Sequence, residues 1–355
     1  MILLRKCSLI EVMTSFYIGI NTIVNMRSIL STKHQILGVC RNLSSVRHQT
    51  QLINSEVRKK RNMLFENELK RQKDLIPRVE KITVECYCPM KEKNVQLLLN
   101  KKISTPYNAA QHIHETLIER SALATVNDKI WDMNRPLEED CVLKFIHFQQ
   151  TEDPYLVNKA FWRSCSFMLG ATLETLFQDQ YYIELHSFPP PNVQSGSFVY
   201  DVDLKFKDWA PSKEELMSFS AYMHRFSESE LPFERLTVDA SVALKMFEDN
   251  QYKYKQIPSI AANSNSGHSV TLYRMGEHID ISGGPMIGNS GFLGRRCSVM
   301  AVHPIVHDGI EMYRFQGVAL PKGIFLDHYA YSLLEQRATK LNTATISSYK
   351  PVTPS

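Results

Sequence analysis

Between residues 56 and 76 the chain reads EVRKKRNMLFENELKRQKDLI, and its apolar positions Val57, Leu64, Leu69 and Ile76 form a narrow stripe at helical spacing. Pro77 ends the run. So thin a stripe predicts an exposed helix, either an arm docked on a partner or a plain surface helix. From residue 80 the period drops to two. Ile82, Val84 and Cys86 alternate as a strand, and residues 95–99 offer a second. Ala109, Ile113 and Leu117 share one face of a helix over 109–120. Short strands follow at 124–126, 129–131 and 141–148, with turns at Asn127-Asp128 and Asn134-Arg135-Pro136. Strands and one helix in so short a stretch predict a small β-grasp domain over 80–150.

Beyond Pro154 the helical period returns. Phe161, Cys165, Leu169 and Leu173 share a face over 157–176, and Phe188 with three prolines breaks the chain. Residues 196–206 alternate as a strand. Ser212 and Glu215 form a capping box that opens a helix burying Leu216, Phe219 and Met223. Asp239 caps another helix through Val242, Met246 and Phe247. Residues 269–281 and 297–320 are β-rich, and 330–341 is a final helix. The class is therefore α+β, with a second unit over 151–341. The polar, proline-containing stretch 342–355 is expected to be a disordered tail.

Composition narrows this picture little: 43% hydrophobic and 22% charged residues allow a buried core and exclude a wholly disordered chain. Seven cysteines, an odd number with no C-x-x-C, fit a reducing compartment better than a disulfide framework. Charge is more informative. The net +4 divides into +5 over residues 1–55, +4 over 56–81 and −5 over the remainder. From Met26, itself a candidate initiator, MRSILSTKHQILGVCRNLSSVRHQ carries no acid, and Arg27, Lys33, Arg41 and Arg47 recur among apolar residues. Residues 1–55 therefore read as a mitochondrial transit segment, the alternative being an extension with no targeting role. Glu11 and Asn21 interrupt the apolar stretch 8–25, which falls short of the roughly 20 clean residues of a membrane span, so no span is expected.

At ISTPYNAAQHI and ALATVNDKIWDMNRPLEEDCVLKFIHF, within residues 103–148, the chain resembles the TGS domain, a ubiquitin-like β-grasp module of threonyl-tRNA synthetases. FWRSCSFMLGATLETLF then resembles the opening helix of that family's editing domain. GSFVYDVDL, LTVDASVALKMFEDNQYKYKQI and VTLYRMGEHIDISGGPMIGNSG follow in the family's order. The resemblance covers roughly residues 80–340, and several segments in order are far more specific than one motif. It implies a TGS domain followed by an α+β editing-like domain.

The departures bear on function. The family's editing site takes two histidines four residues apart on a helix, with a cysteine and a histidine on a later turn, to position a hydrolytic water. Carried over, the first pair falls on Arg163 and Phe167 and the second on Ser282 and Met286. Phe167 and Met286 cannot move a proton, Arg163 stays protonated, and Ser282 has no evident base. Asp280 and Lys253 still match, but an isolated Asp and Lys are more often a salt bridge or solvated charges than a site. An aminoacylation domain would need several hundred further residues, and no phosphate-binding glycine motif occurs. No catalytic residue, cofactor or small-molecule substrate is expected. His303 and His307, on a strand some 13 Å apart, cannot share a metal ion, so no metal is expected either.

A degenerate synthetase fragment behind a transit-like segment implies a non-catalytic component of the mitochondrial large ribosomal subunit, in the matrix. Its partners would be mitochondrial ribosomal RNA and neighbouring large-subunit proteins. The basic helical arm, 56–79, would supply the contacts, with Arg58, Lys59, Lys60, Arg61, Lys70, Arg71 and Lys73 as phosphate partners. The alternatives are a solvated helix face for the arm, and a free-standing tRNA-binding or trans-editing module for the whole.

Overall fold

The computed structural model describes residues 52–88, 93–149 and 154–344. The transit-like segment up to residue 51 and the tail from residue 345 lie outside the described residues. The first element is α1 (Asn54–Asp74). A five-stranded sheet comes next, from β1 (Lys81–Cys88), β2 (Lys93–Asn100), β3 (Leu123–Val126), β4 (Lys129–Trp131) and β5 (Cys141–Ile146) in the order β2-β1-β5-β3-β4. Only β1 and β5 are parallel, at the centre, and the helices α2 (Pro106–Ile113) and α3 (Glu115–Arg120) cross between β2 and β3. That is the β-grasp arrangement. Ile82, Val84 and Cys86 of β1 are buried with Leu99, Ala109, Ala110, Leu117 and Leu143, so the alternation faces the helices.

Sequence periodicity predicts one helix over 109–120, whereas the structure divides it at His114. That residue has extended backbone (φ −168°), and its Nδ1 accepts from the Thr116 amide at 3.2 Å, capping α3. Thr105 and Asn108 form a reciprocal capping box around Pro106 at the start of α2.

The remainder is built around α4 (Pro154–Leu176), buried on nearly all sides beyond Ala160. A four-stranded antiparallel sheet combines β6 (Glu184–Ser187) and β7 (Phe198–Asp203) with a later hairpin. Then follow α5 (Lys213–Ser229), with its expected capping box from Ser212 and Glu215, β8 (Glu234–Asp239), α6 (Ala240–Met246) and α7 (Gln251–Ala262). A three-stranded sheet pairs β8 with β9 (Ser269–Met275) and β9 with β10 (His278–Ile281). The hairpin of β11 (Leu293–His307) and β12 (Ile310–Pro321) turns at Asp308-Gly309, both at positive φ as a tight hairpin requires. Finally, α8 (His328–Ala338) packs Tyr331 and Ala338 on Val318.

Two expectations are corrected. The first is the exposed arm. In α1 the buried positions are Asn54, Val57, Arg58, Arg61, Phe65 and Glu68, spaced three and four apart on one face. Phe65 is fully buried among Leu236, Met246 and Ile279, with the Arg274 guanidinium 4.5 Å from its ring centre. Leu64 and Leu69 only flank that cluster. The buried face is half charged, which is why a search for apolar spacing selects a neighbouring stripe. The second is the start of the tail. Asn342 is buried and donates to Ser197, while the Arg314 guanidinium binds the carbonyls of Asn342 and Ala344.

Phe65→Ala should therefore lower the unfolding free energy by about 3–5 kcal/mol, the usual cost of truncating a buried phenylalanine. Denaturant titration of the full chain measures this; an unchanged midpoint would restore the picture of a solvated arm.

Candidate functional site

Arg163 and Phe167 lie four residues apart on α4 and therefore on one face, opposite the turn after β10 that carries Ser282 and Met286. The turn is tight: Gly284 has φ +65°, and a Cβ there would strike the Tyr273 hydroxyl. The structure brings all four positions to one region and divides them between core and cleft.

Phe167 and Met286 belong to the core. Phe167 is fully buried, edge-on to Phe233 at 5.7 Å and to the His278 ring at 4.8 Å between centroids. Met286 is also fully buried, its sulfur 3.5 Å from the Ser164 hydroxyl and its amide donating to Asp132 at 2.8 Å. Where the resemblance expects two imidazoles, buried hydrophobic side chains stand.

Arg163 and Ser282 line a cleft of about 820 Å³ between α4, α7, the proline run Pro189–Pro191 and the β10 turn. Arg163 donates to the Pro285 carbonyl at 3.0 Å. Burial lowers its pKa against the opposing influence of Tyr273 and Asp132, and a guanidinium so placed remains charged. The Ser282 hydroxyl accepts from the Gly284 amide at 3.3 Å. No histidine, cysteine, aspartate or glutamate is among the described residues lining the cleft.

Lys253 and Asp280 meet as a buried ion pair at the back of this cleft. Asn250 caps α7 by accepting from the Tyr252 and Lys253 amides at 3.1 and 3.0 Å, which aims Lys253 inward. The Tyr200 hydroxyl donates to the second Asp280 oxygen and receives from Lys253 at 3.1 Å. Burial and the adjacent Asp280 carboxylate push the Tyr200 pKa well up, so the phenol holds its proton. Each polar group has a partner inside the trio, and none is free to activate water.

Sequence reasoning missed the strongest electrostatic feature. Glu174, near the end of α4, accepts from Arg61 at 2.7 Å through one oxygen and pairs with His278 Nδ1 at 2.6 Å through the other. Arg58 donates to the Glu174 carbonyl. Burial would raise the Glu174 pKa, but the His278 and Arg61 charges overcome this and hold it far below the usual carboxylate range. A signal was present: after Arg163, Glu174 is the single charged residue of α4, in a stretch otherwise fit only for burial.

Asp132 does comparable work from the β-grasp side. It accepts from Tyr273 at 2.7 Å and the Met286 amide at 2.8 Å, and pairs with Arg235 at 3.2 Å. Beside it, Asn134 donates to the Gly288 carbonyl at 2.7 Å.

The phosphate-partner set is also corrected. Arg58 and Arg61 are buried against Glu174 and cannot face a phosphate. Lys60 is engaged by Glu248 and Asp249, both at 2.5 Å, and Arg71 by Glu68 at 2.7 Å. Lys59, Lys70 and Lys73 remain solvent-exposed, so α1 presents a weaker electrostatic face than its composition suggests. His303 and His307 do lie on one strand, where His303 meets the Thr339 carbonyl and His307 packs on His186.

With this geometry in view, comparison with known proteins is decisive. Residues 90–147 match the TGS domain. The chain is 47% identical over 290 residues to large ribosomal subunit protein mL39 of Drosophila melanogaster, covering 81% of this chain and 85% of that protein. It belongs to the mL39 family. Similarity to synthetases is partial: it is 32% identical over 188 residues to cytoplasmic threonine–tRNA ligase 2 of Bos taurus, and 30% identical over 188 residues to cytoplasmic threonine–tRNA ligase 1 of Homo sapiens. Each match spans 24% of the ligase. A member of the mL39 family thus keeps the TGS fold and the threonine ligase resemblance while its editing positions are filled or recharged.

Glu174→Gln should cost about 3–5 kcal/mol, because Arg61 would keep its burial and lose its counter-charge. A carboxylate with a depressed folded pKa stabilises above its unfolded value, near pH 4.3, and that contribution is lost as pH falls toward the folded pKa. Acid titration followed by circular dichroism should give a shallower loss of stability below about pH 4.5 in Glu174→Gln than in the parent. Parallel curves would show that Glu174 is not the linked group.

Proposed function

We propose that the chain is a non-catalytic structural component of the mitochondrial large ribosomal subunit. In this reading it is a degenerate threonyl-tRNA synthetase fragment kept as a shaped surface supporting mitochondrial translation. The observation that carries this is the fate of the positions that the resemblance assigns to editing, in a member of the mL39 family: Phe167 and Met286 are core, and beside them Lys253, Asp280 and Tyr200 are satisfied by one another. A hydrolase needs a group able to give and take a proton at the cleft; the described lining holds no histidine, cysteine, aspartate or glutamate, and its Lys253 is engaged by Asp280.

The transit-like segment takes the protein to the matrix, and processing falls upstream of Asn54, whose side chain is buried and bonded to the Tyr181 carbonyl. The β-grasp domain over 80–150 and the editing-like domain over 151–341 act as one platform, with α1 as part of it. Its partners are ribosomal RNA and neighbouring large-subunit proteins. Lys59, Lys70 and Lys73 support salt-sensitive contact with phosphates, and the net negative charge beyond residue 81 favours protein neighbours over the rest of the surface. Among the described residues no helix is long and apolar enough to cross a membrane.

In density-gradient sedimentation of mitochondrial lysate the protein should migrate with the large subunit, and N-terminal sequencing of that fraction should start between about residues 40 and 53. A peak of small free protein would instead support the free-standing tRNA-binding module. Replacing Lys59, Lys70 and Lys73 together by Gln should flatten the salt dependence of incorporation by up to about three in log–log slope if all three meet phosphates. Purified full-length protein should hydrolyse seryl-tRNA no faster than buffer. Turnover that vanished in Lys253→Ala would defeat the non-catalytic reading.

A further inference from the structure

The cleft retained beside the filled editing positions is not electrostatically neutral. Four cations line it, Arg135, Arg163, Arg235 and Lys253, and no acid is among its described lining residues. Three are already matched from behind. Arg135 stacks on Trp131 and pairs with Glu138 at 3.1 Å, Arg235 pairs with Asp132 at 3.2 Å, and Lys253 pairs with Asp280. Arg163 differs. Its guanidinium donates to a neutral carbonyl, that of Pro285, and none of the ion pairs among the described residues includes it. One half-buried, unmatched guanidinium therefore stands in a cleft large enough for a few amino-acid residues.

We propose that this cleft binds an extended peptide of another protein through its C-terminal carboxylate, with Arg163 as its partner. The number of unmatched charges decides between carboxylate and nucleic acid. A nucleic-acid strand brings a negative charge at every nucleotide and calls for a row of available cations, together with aromatic faces for its bases. Here one cation is unmatched, and the single aromatic residue of the lining, Phe188, is packed 5.4 Å from the Tyr200 ring. A carboxylate needs only one planar fork, which a guanidinium supplies even with one N–H committed elsewhere. The surroundings suit a peptide: the cleft is lined both by the apolar run Pro189–Pro191 and by Thr237 and Thr271. Burial has already lowered the Arg163 pKa, and a bound carboxylate would restore the stabilisation that burial removed.

The inference is independent of ribosomal placement and is tested on the isolated full chain. Amide and arginine side-chain resonances would be followed by NMR while N-acetylglycine, N-acetylglycinamide, inorganic phosphate and adenosine monophosphate are added in turn. N-acetylglycine should shift the Arg163 side-chain signal and the Gly283 and Gly284 amides saturably, and its uncharged amide should not. Arg163→Gln should weaken the glycine-amide response about tenfold or more, and Arg163→Lys, which keeps the charge but loses the fork, should weaken it less. Unchanged thermal unfolding would show that both variants fold. Equal shifts with the uncharged amide, no saturation, or adenosine monophosphate binding about tenfold more tightly than N-acetylglycine would each overturn the proposal.

Discussion

One buried carboxylate ties three separate pieces of the chain together. Glu174 ends the central helix, Arg61 and Arg58 come from the first helix, and His278 opens β10. Removed from water, any one of these charges would be costly; assembled, they compensate one another in charge, although Arg61 Nε and His278 Nε2 stay buried without a hydrogen-bond partner among the described residues. The arrangement explains why a highly charged helix is part of the body. Its burial is specified by complementary charge as much as by hydrophobicity, with Phe65 supplying the apolar anchor alongside. The same chain of contacts places His278 against Phe167, so the network that holds α1 also borders a filled editing position.

At the positions that the resemblance assigns to editing, the substitutions amount to a repacking. Truncating two inward-facing imidazoles to small residues would have left a polar cavity or a void, and voids are destabilising. Phe167 and Met286 instead occupy the space and join the main core. The polar remnants are neutralised in place: Lys253, Asp280 and Tyr200 close on one another, and Asp132 binds the Met286 amide, Tyr273 and Arg235. Their hydrogen bonds and ion pairs serve internal stability. Asp132 and Asn134 also join the β-grasp sheet to the rest, since the groups they bind come from the far side of that contact.

Much of the fold was legible in the sequence because its signals are local. The two-residue alternation of Ile82, Val84 and Cys86, the Ser212–Glu215 box and the apolar face of α4 depend on backbone geometry that neighbouring residues dictate. Elements that failed this test were short or self-contradictory. β6 has four residues, and α7 carries Pro258 inside it, which reads as a break although Asn250 caps the helix firmly. The division of 109–120 into two helices turned on His114 serving as a cap, a role histidine seldom signals.

By itself the sequence determined that this is an α+β chain carrying the TGS and threonine ligase pattern, and the resemblance implied that the four positions matching the editing site hold neither imidazole nor thiol. Those readings need only residue identity and order set beside the resembling family. Tertiary structure decided where the side chains went. It sent Phe167 and Met286 into the core and left Arg163 and Ser282 at a cleft, although each pair reads alike as a substitution. It also turned Arg58 and Arg61 inward while Lys59, Lys70 and Lys73 stayed in water. The reason is physical: a charge can be buried only where another part of the chain brings its counter-charge, and residues more than a hundred positions apart, such as Arg61 and Glu174, meet only after folding.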